Sequence, residues 1–473
     1  MQKITFIICL LCLGYLSALA QENEEEKEKT EAQAKKEKQE KEGANDDQID
    51  NKSEEVEITE QRAKNRLIDT LTYQTASGLP IAASKIYYSE SKFTFSGFYE
   101  SNFINYQGPK NTASNDLELY QTNLQRFVTY AAYKPVDWLV IYGEIFLEYA
   151  NDGSRESDLE YLPEVFLDFL IDEKFNLRVG THQPQIGYIN NNDEPIMFYS
   201  VNRPEVERLI IPSQWIDLGV MTYGNLTPNL KWSLSAYQGL DANNLNASTW
   251  IRGGREDVLR FNFSNYLINS SLKYTGIKNT EIGANGIYTK MATDQNGNNS
   301  SISNVDASSL LMSSYIRHQI GNWSFMALGS YGNMSGTEAI FNLTQDDAGN
   351  GQVLGKNVYG YYGEIGYDIL PILGWNKRHA KGKDDNFILR GNEMKLPLFI
   401  RYERLNTHAS VHPNLAEMVT NQSDLHALTI GANFNPRRSI VIKANYQIRN
   451  NREPLLNGEF EGNRFELGVG FIF

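Results

Sequence analysis

From about Lys92 to the carboxy terminus, apolar side chains recur at every second position in segment after segment, the period of a strand with two unlike faces. Between Trp138 and Tyr149, the residues Leu139, Ile141, Gly143, Ile145, Leu147 and Tyr149 share one face, against Val140, Tyr142, Glu144, Phe146 and Glu148. Between Ile440 and Arg449, Ile440, Ile442, Ala444, Tyr446 and Ile448 alternate with Val441, Lys443, Asn445, Gln447 and Arg449. A soluble sandwich strand also alternates, but it turns a polar face outward and typically runs about five or six residues. Segments of roughly ten residues with one face suited to lipid and one mixed face are the signature of a membrane-spanning barrel.

The pattern recurs in sixteen segments, at 91–106, 117–133, 138–149, 160–171, 175–182, 214–224, 230–239, 258–275, 280–291, 306–320, 322–333, 356–369, 394–405, 424–434, 439–450 and 463–473. The connections 134–137, 172–174, 225–229, 276–279, Gly321 and 435–438 are short, whereas 107–116, 150–159, 183–213, 240–257, 292–305, 334–355, 406–423 and 451–462 are long. Short turns at one rim and long loops at the other are the asymmetry of an outer-membrane barrel with both termini in the periplasm. The connection 370–393 falls on the short-turn rim and is long, so either a strand pair is missing from the count or that turn carries an insertion. Counts of fourteen and eighteen strands stay open. The expected fold class is all-β, a transmembrane antiparallel β-barrel of about sixteen strands.

Average composition hides this. Mean hydropathy is -0.46 and 41% of the 473 residues are hydrophobic, values that would suit a polar soluble protein. Outside residues 4–20 no run approaches the roughly 18 consecutive apolar residues of a spanning helix, so a helical transporter is excluded. A window average does not see apolar residues placed at alternate positions.

The two ends carry their own signals. Lys3, the apolar run Ile4 to Leu16, and the small-residue junction through Ala18 and Ala20 have the layout of a secretory signal peptide over 1–20. Cys9 and Cys12, the two cysteines of the chain, lie inside it, so the mature protein draws no stability from disulfides or thiolate metal sites. From Glu22 to Glu42 there are nine Glu and six Lys, which cannot bury a core, and residues 21–66 read as a charged low-complexity tail in the periplasm. Residues 54–72 allow a short amphipathic helix, 67–90 form a helical or irregular lead-in, and 91–473 form the barrel. At the far end Phe465, Leu467, Val469, Phe471 and the terminal Phe473 alternate with Glu466, Gly468, Gly470 and Ile472. That strand is similar to the sorting signal that barrel-assembly machinery reads by pairing with an exposed strand edge.

Three stretches resemble the outer-membrane porins called phosphate-selective porins O and P. Asn176 to Gly187, N-L-R-V-G-T-H-Q-P-Q-I-G, resembles that family's R-x-G-x-F-K-x-P-F-G strand end. Glu207-Arg208 followed by Trp215 and Asp217-Leu218-Gly219-Val220 resembles its E-R segment and D-x-G-V strand start. Gly431 to Gln447, G-A-N-F-N-P-R-R-S-I-V-I-K-A-N-Y-Q, looks like its penultimate hairpin. The resemblance implies a sixteen-stranded, water-filled pore, a homotrimer, whose third outer loop folds inward as a constriction, here 183–213. The sequence departs where the family's Phe and Lys are His182 and Gln183, and Pro184 stands one position early, so a lysine that would attract anions is absent there.

Alternation puts Arg178, Arg317, Arg401 and Lys443 on the lumen side, opposed by Glu144, Glu148, Asp168, Glu403 and Glu466, while Arg203 and Arg208 lie in the constriction loop. Inward cations lower the barrier for anions and inward carboxylates do the reverse. The bland alternative is that these residues pair off and brace the wall. After residue 66 there are 33 basic and 42 acidic residues, a balance of -9, so global charge does not impose anion selectivity. The dispersed histidines, with no H-E-x-x-H, G-x-S-x-G or phosphate-binding glycine loop, argue against an enzyme and against a metal or other cofactor. The formal charge of -14, without a basic patch, argues against nucleic acid. The expected protein is thus a porin for passive diffusion of small polar or charged solutes, anions such as phosphate among them, with outer-membrane lipid around it. The alternative is a non-conducting barrel that binds a ligand or partner through its outer loops. Whether 183–213 folds into the lumen and leaves a passage separates the two.

Overall fold

The computed structural model describes residues 74–153, 157–255, 265–294, 302–375, 393–455 and 457–473. The expected signal peptide, the 21–66 tail, the short helix within 54–72 and the first part of the lead-in lie outside these residues. Sixteen strands follow one another: Phe93–Gln107 (β1), Asn123–Val136 (β2), Leu139–Asn151 (β3), Ser157–Phe169 (β4), Asn176–His182 (β5), Asp217–Thr227 (β6), Leu230–Tyr237 (β7), Tyr266–Tyr274 (β8), Thr280–Asp294 (β9), Ile302–Ile320 (β10), Trp323–Ser335 (β11), Asn357–Asp368 (β12), Pro397–Ser410 (β13), Asp424–Arg437 (β14), Ile440–Asn451 (β15) and Asn463–Ile472 (β16). Each pairs antiparallel with its neighbours in sequence, and β1 pairs with β16, so the sheet is a closed barrel. At the seam Phe98 stands opposite Ile472, and Gly97 exchanges backbone hydrogen bonds of 3.1 and 2.9 Å with Phe473. Closure leaves no strand edge, and in lipid an unpaired backbone amide has no water to turn to.

Alternation decides which side chain meets lipid. Ile141, Ile145 and Leu147 point outward, whereas Val140, Tyr142, Glu144, Phe146 and Glu148 of the same strand are buried inside. Exposed aromatics collect near the ends of the strands. Tyr133, Trp138, Phe175 and Trp323 sit near the short-turn rim, and Phe103, Tyr149, Tyr331 and Tyr361 near the long-loop rim. Aromatic girdles of this kind place amphipathic rings at the two water–lipid interfaces. Among the described residues no helix is long and apolar enough to cross a membrane.

Two of the connections expected to be long, 150–159 and 292–305, are short, the former running only from Asn151 to Ser157; one strand starts late, and one open alternative is decided. The segment expected as a strand over 117–133 begins its strand only at Asn123, because Leu117 and Leu119 form a 3-10 turn whose Leu117 buries with Tyr120 and Ala150. The loop expected over 292–305 is short, since β9 continues to Asp294 and β10 starts at Ile302, with a register shift between Asn304 and Ser308. In the connection expected over 370–393, β12 pairs directly with β13, Tyr367 opposite Leu398, so no strand pair is missing there.

The lumen is filled from both directions. Residues 183–216, between β5 and β6, turn inward, and Ile186, Tyr188, Ile189, Val206, Ile210 and Trp215 pack on Leu267, Leu311, Val358 and Leu405 of the wall. The lead-in enters beside the opposite wall, where Leu79, Ala82, Ala83 and Ile86 bury against Phe98, Val128, Tyr142 and Phe166. Each such side chain removed from water contributes about 1.5–3 kcal/mol, less for alanine.

Candidate functional site

The inner loop 183–216 is held by its own acidic residues and by the wall. Gly187 takes φ +68°, and a Cβ there would stand 2.6 Å from Oε2 of Glu207. That oxygen accepts the backbone N–H groups of Tyr188 and Ile189, both at 2.7 Å, while Oε1 accepts the Tyr362 hydroxyl at 2.7 Å. Glu207 therefore joins the start of the loop to its helical turn Val206–Leu209 and to β12. Burial pushes the Glu207 carboxyl up, opposed by these donors. The middle of the loop hangs on the β14–β15 hairpin and β13. Asn433 donates to the carbonyl of Tyr199 at 3.1 Å, Lys443 to that of Ser200 at 3.0 Å, and Val201 N–H to Asn445 at 2.8 Å. Arg401 donates to the Ser200 hydroxyl at 2.6 Å, and Glu403 accepts Glu205 N–H at 2.6 Å. All three porin-like stretches of the sequence thus meet at this one loop.

Charges concentrate where the loop crosses the lumen. Oε1 of Glu205 lies 2.9 Å from each of Arg208, Arg449 and Arg464. Burial would raise the Glu205 carboxyl, but the three guanidinium groups hold it well below its usual range. Arg126 pairs with Glu100 and with Glu148, and lies 3.5 Å from Glu118. Arg203 reaches Glu118 at 3.6 Å and Asp193 at 3.8 Å. Arg252, from the connection after β7, pairs with Glu118 and with Asp116 at 2.7 Å. Glu118, on the 3-10 turn before β2, is held low by Arg252, Arg203 and Arg126 against the effect of burial.

The eleven charged residues singled out from the sequence divide among several places, with Glu466 accepting from the Asn202 side chain at 3.0 Å and from Asn445 at 2.8 Å. Arg203, Arg208 and Glu148 join the network just described, each 5% exposed or less. Arg401 pairs with Glu403 at 2.8 Å and Glu364 at 3.2 Å, and Lys443 stands 3.7 Å over the ring of Phe198. Arg178 and Asp168 form a separate 2.9 Å pair with the hydroxyl groups of Tyr87 and Tyr223. Glu144 faces Glu164 across β3 and β4, apart from any arginine pair. Arg317 lies over Tyr188, 4.7 Å from its ring centre, and opposite Glu281 in the β9–β10 register. Arg126, Arg449 and Arg464 were not singled out, although parity within their strands places them inward. Asp116, Arg252 and Glu205 sit in connections, where no period marks them, and Glu118 sits in the 3-10 turn that the sequence reads as the start of a strand.

A cavity of about 540 Å³ lies between the inner loop, Ile81 of the lead-in and strands β10–β14, with Arg317, Glu364 and Arg401 in its wall. Among the described residues no group of three or more His, Cys, Asp or Glu side chains is arranged to hold a metal ion.

No family model matches the chain. An uncharacterized protein of Aquifex aeolicus (strain VF5) is 27% identical over 383 residues, 79% of each chain. Among solved structures, the outer membrane channel DcaP of Acinetobacter baumannii shares 11% identity, with 80% of this chain and 97% of that chain covered and a TM-score of 0.46. OmpF of Salmonella typhi, solved with daunomycin, shares 9%, with 80% and 97% covered and a TM-score of 0.49. The trimer form of OmpT of Vibrio cholerae, an outer membrane protein, shares 11%, with 80% and 99% covered and a TM-score of 0.42. The structural neighbours are outer-membrane barrels.

Proposed function

We propose that the protein is an outer-membrane channel for passive diffusion of small polar or charged solutes, narrowed by the inward loop 183–216. One observation carries this reading: a loop dense in paired charges crosses the lumen of a closed sixteen-stranded barrel and is anchored to the wall on several sides. Arginines and carboxylates facing each other across a narrow passage create a local field that sorts ions by sign. Arg203 and Arg208, with Arg126 and Glu118 beside them, are the residues proposed to set it. Arg178, Arg317, Arg401, Lys443, Glu144, Glu148 and Asp168 shape the field above and below. The likeness of three stretches to phosphate-selective porins O and P supports anions, phosphate among them, as solutes. It also supports a homotrimer in the outer membrane, while the layout of residues 1–20 supports a signal peptide and the composition of 21–66 a charged tail held in the periplasm. The strand ending in Phe465, Leu467, Val469, Phe471 and Phe473 is proposed as the assembly signal.

Planar-bilayer recording of the refolded protein tests the reading. Ion conductance is expected, and its reversal potential under a salt gradient gives the sign of selectivity; no conductance at any salt overturns it. A second reading, a closed barrel that binds a ligand, is favoured by the depth of the charges. Arg126, Arg203, Arg208, Arg252 and Arg401 are each at most 5% exposed, as expected where little water passes.

A further inference from the structure

The cavity beside the inner loop has a chemistry of its own. It opens toward the short-turn rim, where Lys395 and Arg438 are exposed, and runs inward to Arg317. Part of its lining, Ile81, Ile196 and Met197, forms an apolar floor, and a strongly hydrated ion loses water against it without recompense. The two carboxylates in its wall are engaged, Glu364 by Arg401 at 3.2 Å and Glu393 by the backbone N–H of Arg438 at 3.3 Å. Arg317 is not engaged in this way. It is half-buried, stacks on Tyr188 and forms no salt bridge among the described residues, since Glu281, opposite it on β9, is taken by the Tyr315 hydroxyl at 2.9 Å and Lys273 at 3.8 Å. Tyr188 is itself buried, and its hydroxyl has no hydrogen-bond partner among the described residues.

A planar cation over an aromatic ring, facing an apolar floor in a cavity of about 540 Å³, fits one kind of guest. We propose that this cavity binds an amphipathic monocarboxylate, with the carboxylate on Arg317 and an aromatic or branched apolar body on Ile81, Ile196 and Met197. The guanidinium fork matches a carboxylate with two parallel hydrogen bonds, and the body supplies the binding energy that an inorganic anion lacks. The inference rests on the channel reading for its role, a solute-binding site on the path, and it sets the preferred solute apart from phosphate.

The test uses the full mature chain refolded in detergent, with 3-phenylpropionate, 3-phenylpropan-1-ol and inorganic phosphate as titrants in calorimetry. The acid is expected to bind about tenfold more tightly than the alcohol, with no saturable binding of phosphate, because a hydrogen bond to a charged group exceeds a neutral one. Arg317→Gln should erase the difference between acid and alcohol, and Arg317→Lys should restore part of it. Met197→Trp, which fills the floor and leaves Arg317 in place, should weaken both titrants. Equal binding of acid and alcohol by the native chain, or an unchanged preference in Arg317→Gln, overturns the proposal. So does saturable phosphate binding that displaces the acid. If Arg317→Gln fails to fold, as judged by loss of the heat-modifiable barrel band, Met197→Trp decides: undiminished binding of the acid overturns the site. Bilayer conductance in potassium chloride is recorded on the same preparation. Conductance without carboxylate binding removes this inference alone, whereas binding without conductance removes the channel reading.

Discussion

Glu205 and Arg464 are 259 residues apart in the chain and 2.9 Å apart in the barrel. The same oxygen of Glu205 meets Arg208 and Arg449, so one carboxylate on the inner loop bridges three arginines drawn from the loop, β15 and β16. Removing one partner of a buried charge group costs about 3–5 kcal/mol, because the others remain buried without compensation. Glu205→Gln should lower the urea midpoint of the refolded barrel and move its reversal potential toward anions. An unaltered midpoint would show that Glu461 and Glu118 hold the arginines by themselves.

Arg203 and Arg208 approach the Glu118 region from opposite sides, Arg203 through its carboxylate and Arg208 through the carbonyls of Glu118 and Leu119 at 3.2 and 2.9 Å. Replacing both by Ala leaves Glu118 and Glu205 facing the lumen with fewer cations. The anion/cation permeability ratio should fall. A ratio that does not change would remove both residues from the narrowest point.

Glu194 couples the loop to the lead-in, accepting Ala82 N–H at 2.6 Å. Burial pushes its carboxyl up to about 8, with the Ala82 amide opposing and Asp193 adding to the rise. Glu144 and the Tyr130 hydroxyl face it from β3 and β2. The folded state thus holds a proton that the unfolded state gives up near pH 4.5. The stabilising proton is fully present below that value and is lost as pH rises through about 8. Barrel stability should fall between about pH 5 and pH 8, and Glu194→Gln, which keeps the acceptor and never ionises, should flatten that part of the curve. An identical slope in the variant would assign the dependence to other groups.

Residues 74–88 enter the lumen at the short-turn rim, where Tyr87 pairs with Asp168, Asn191 reaches the Gly78 carbonyl at 3.3 Å and Ser96 reaches that of Ala82 at 2.7 Å. Deleting this stretch should raise single-channel conductance severalfold. Equal conductance in the deletion would mean that solutes pass on the far side of the loop.

Ile145 lies mid-strand on the outer face of β3, 47% exposed, opposite Thr129 and Pro163. An arginine there faces lipid and should cost about 2–4 kcal/mol in urea unfolding from vesicles. A loss under about 1 kcal/mol would place Ile145 near the interface or against another subunit.

The wall was legible because lipid imposes a strict period: one register slip would carry Ile141, Ile145 and Leu147 into the lumen and Glu144 and Glu148 into lipid. Inward charges on strands follow from the same rule, which is why Arg178, Arg401 and Lys443 were readable and Arg126, Arg449 and Arg464 could have been. The pairing of those charges was not readable. Arg252 comes from a connection with no period, Glu118 from a 3-10 turn that the sequence reads as the start of an alternating strand, and Glu205 acquires its partners only when the loop has turned inward. Parity gives the side of the wall and says nothing about depth, so Arg178 and Asp168 were grouped with Arg203 although they close a separate contact with Tyr87.

The backbone exchange between Gly97 and Phe473 also fixes an order of events. Every other strand can pair with a neighbour next to it in sequence, but β1 keeps an open side until β16, the sixteenth strand, is in place. The inner loop and the lead-in, both earlier in the chain than β16, are available to pack along the curve of the sheet before that seam forms. The seam between β1 and β16 is therefore the latch of the sheet.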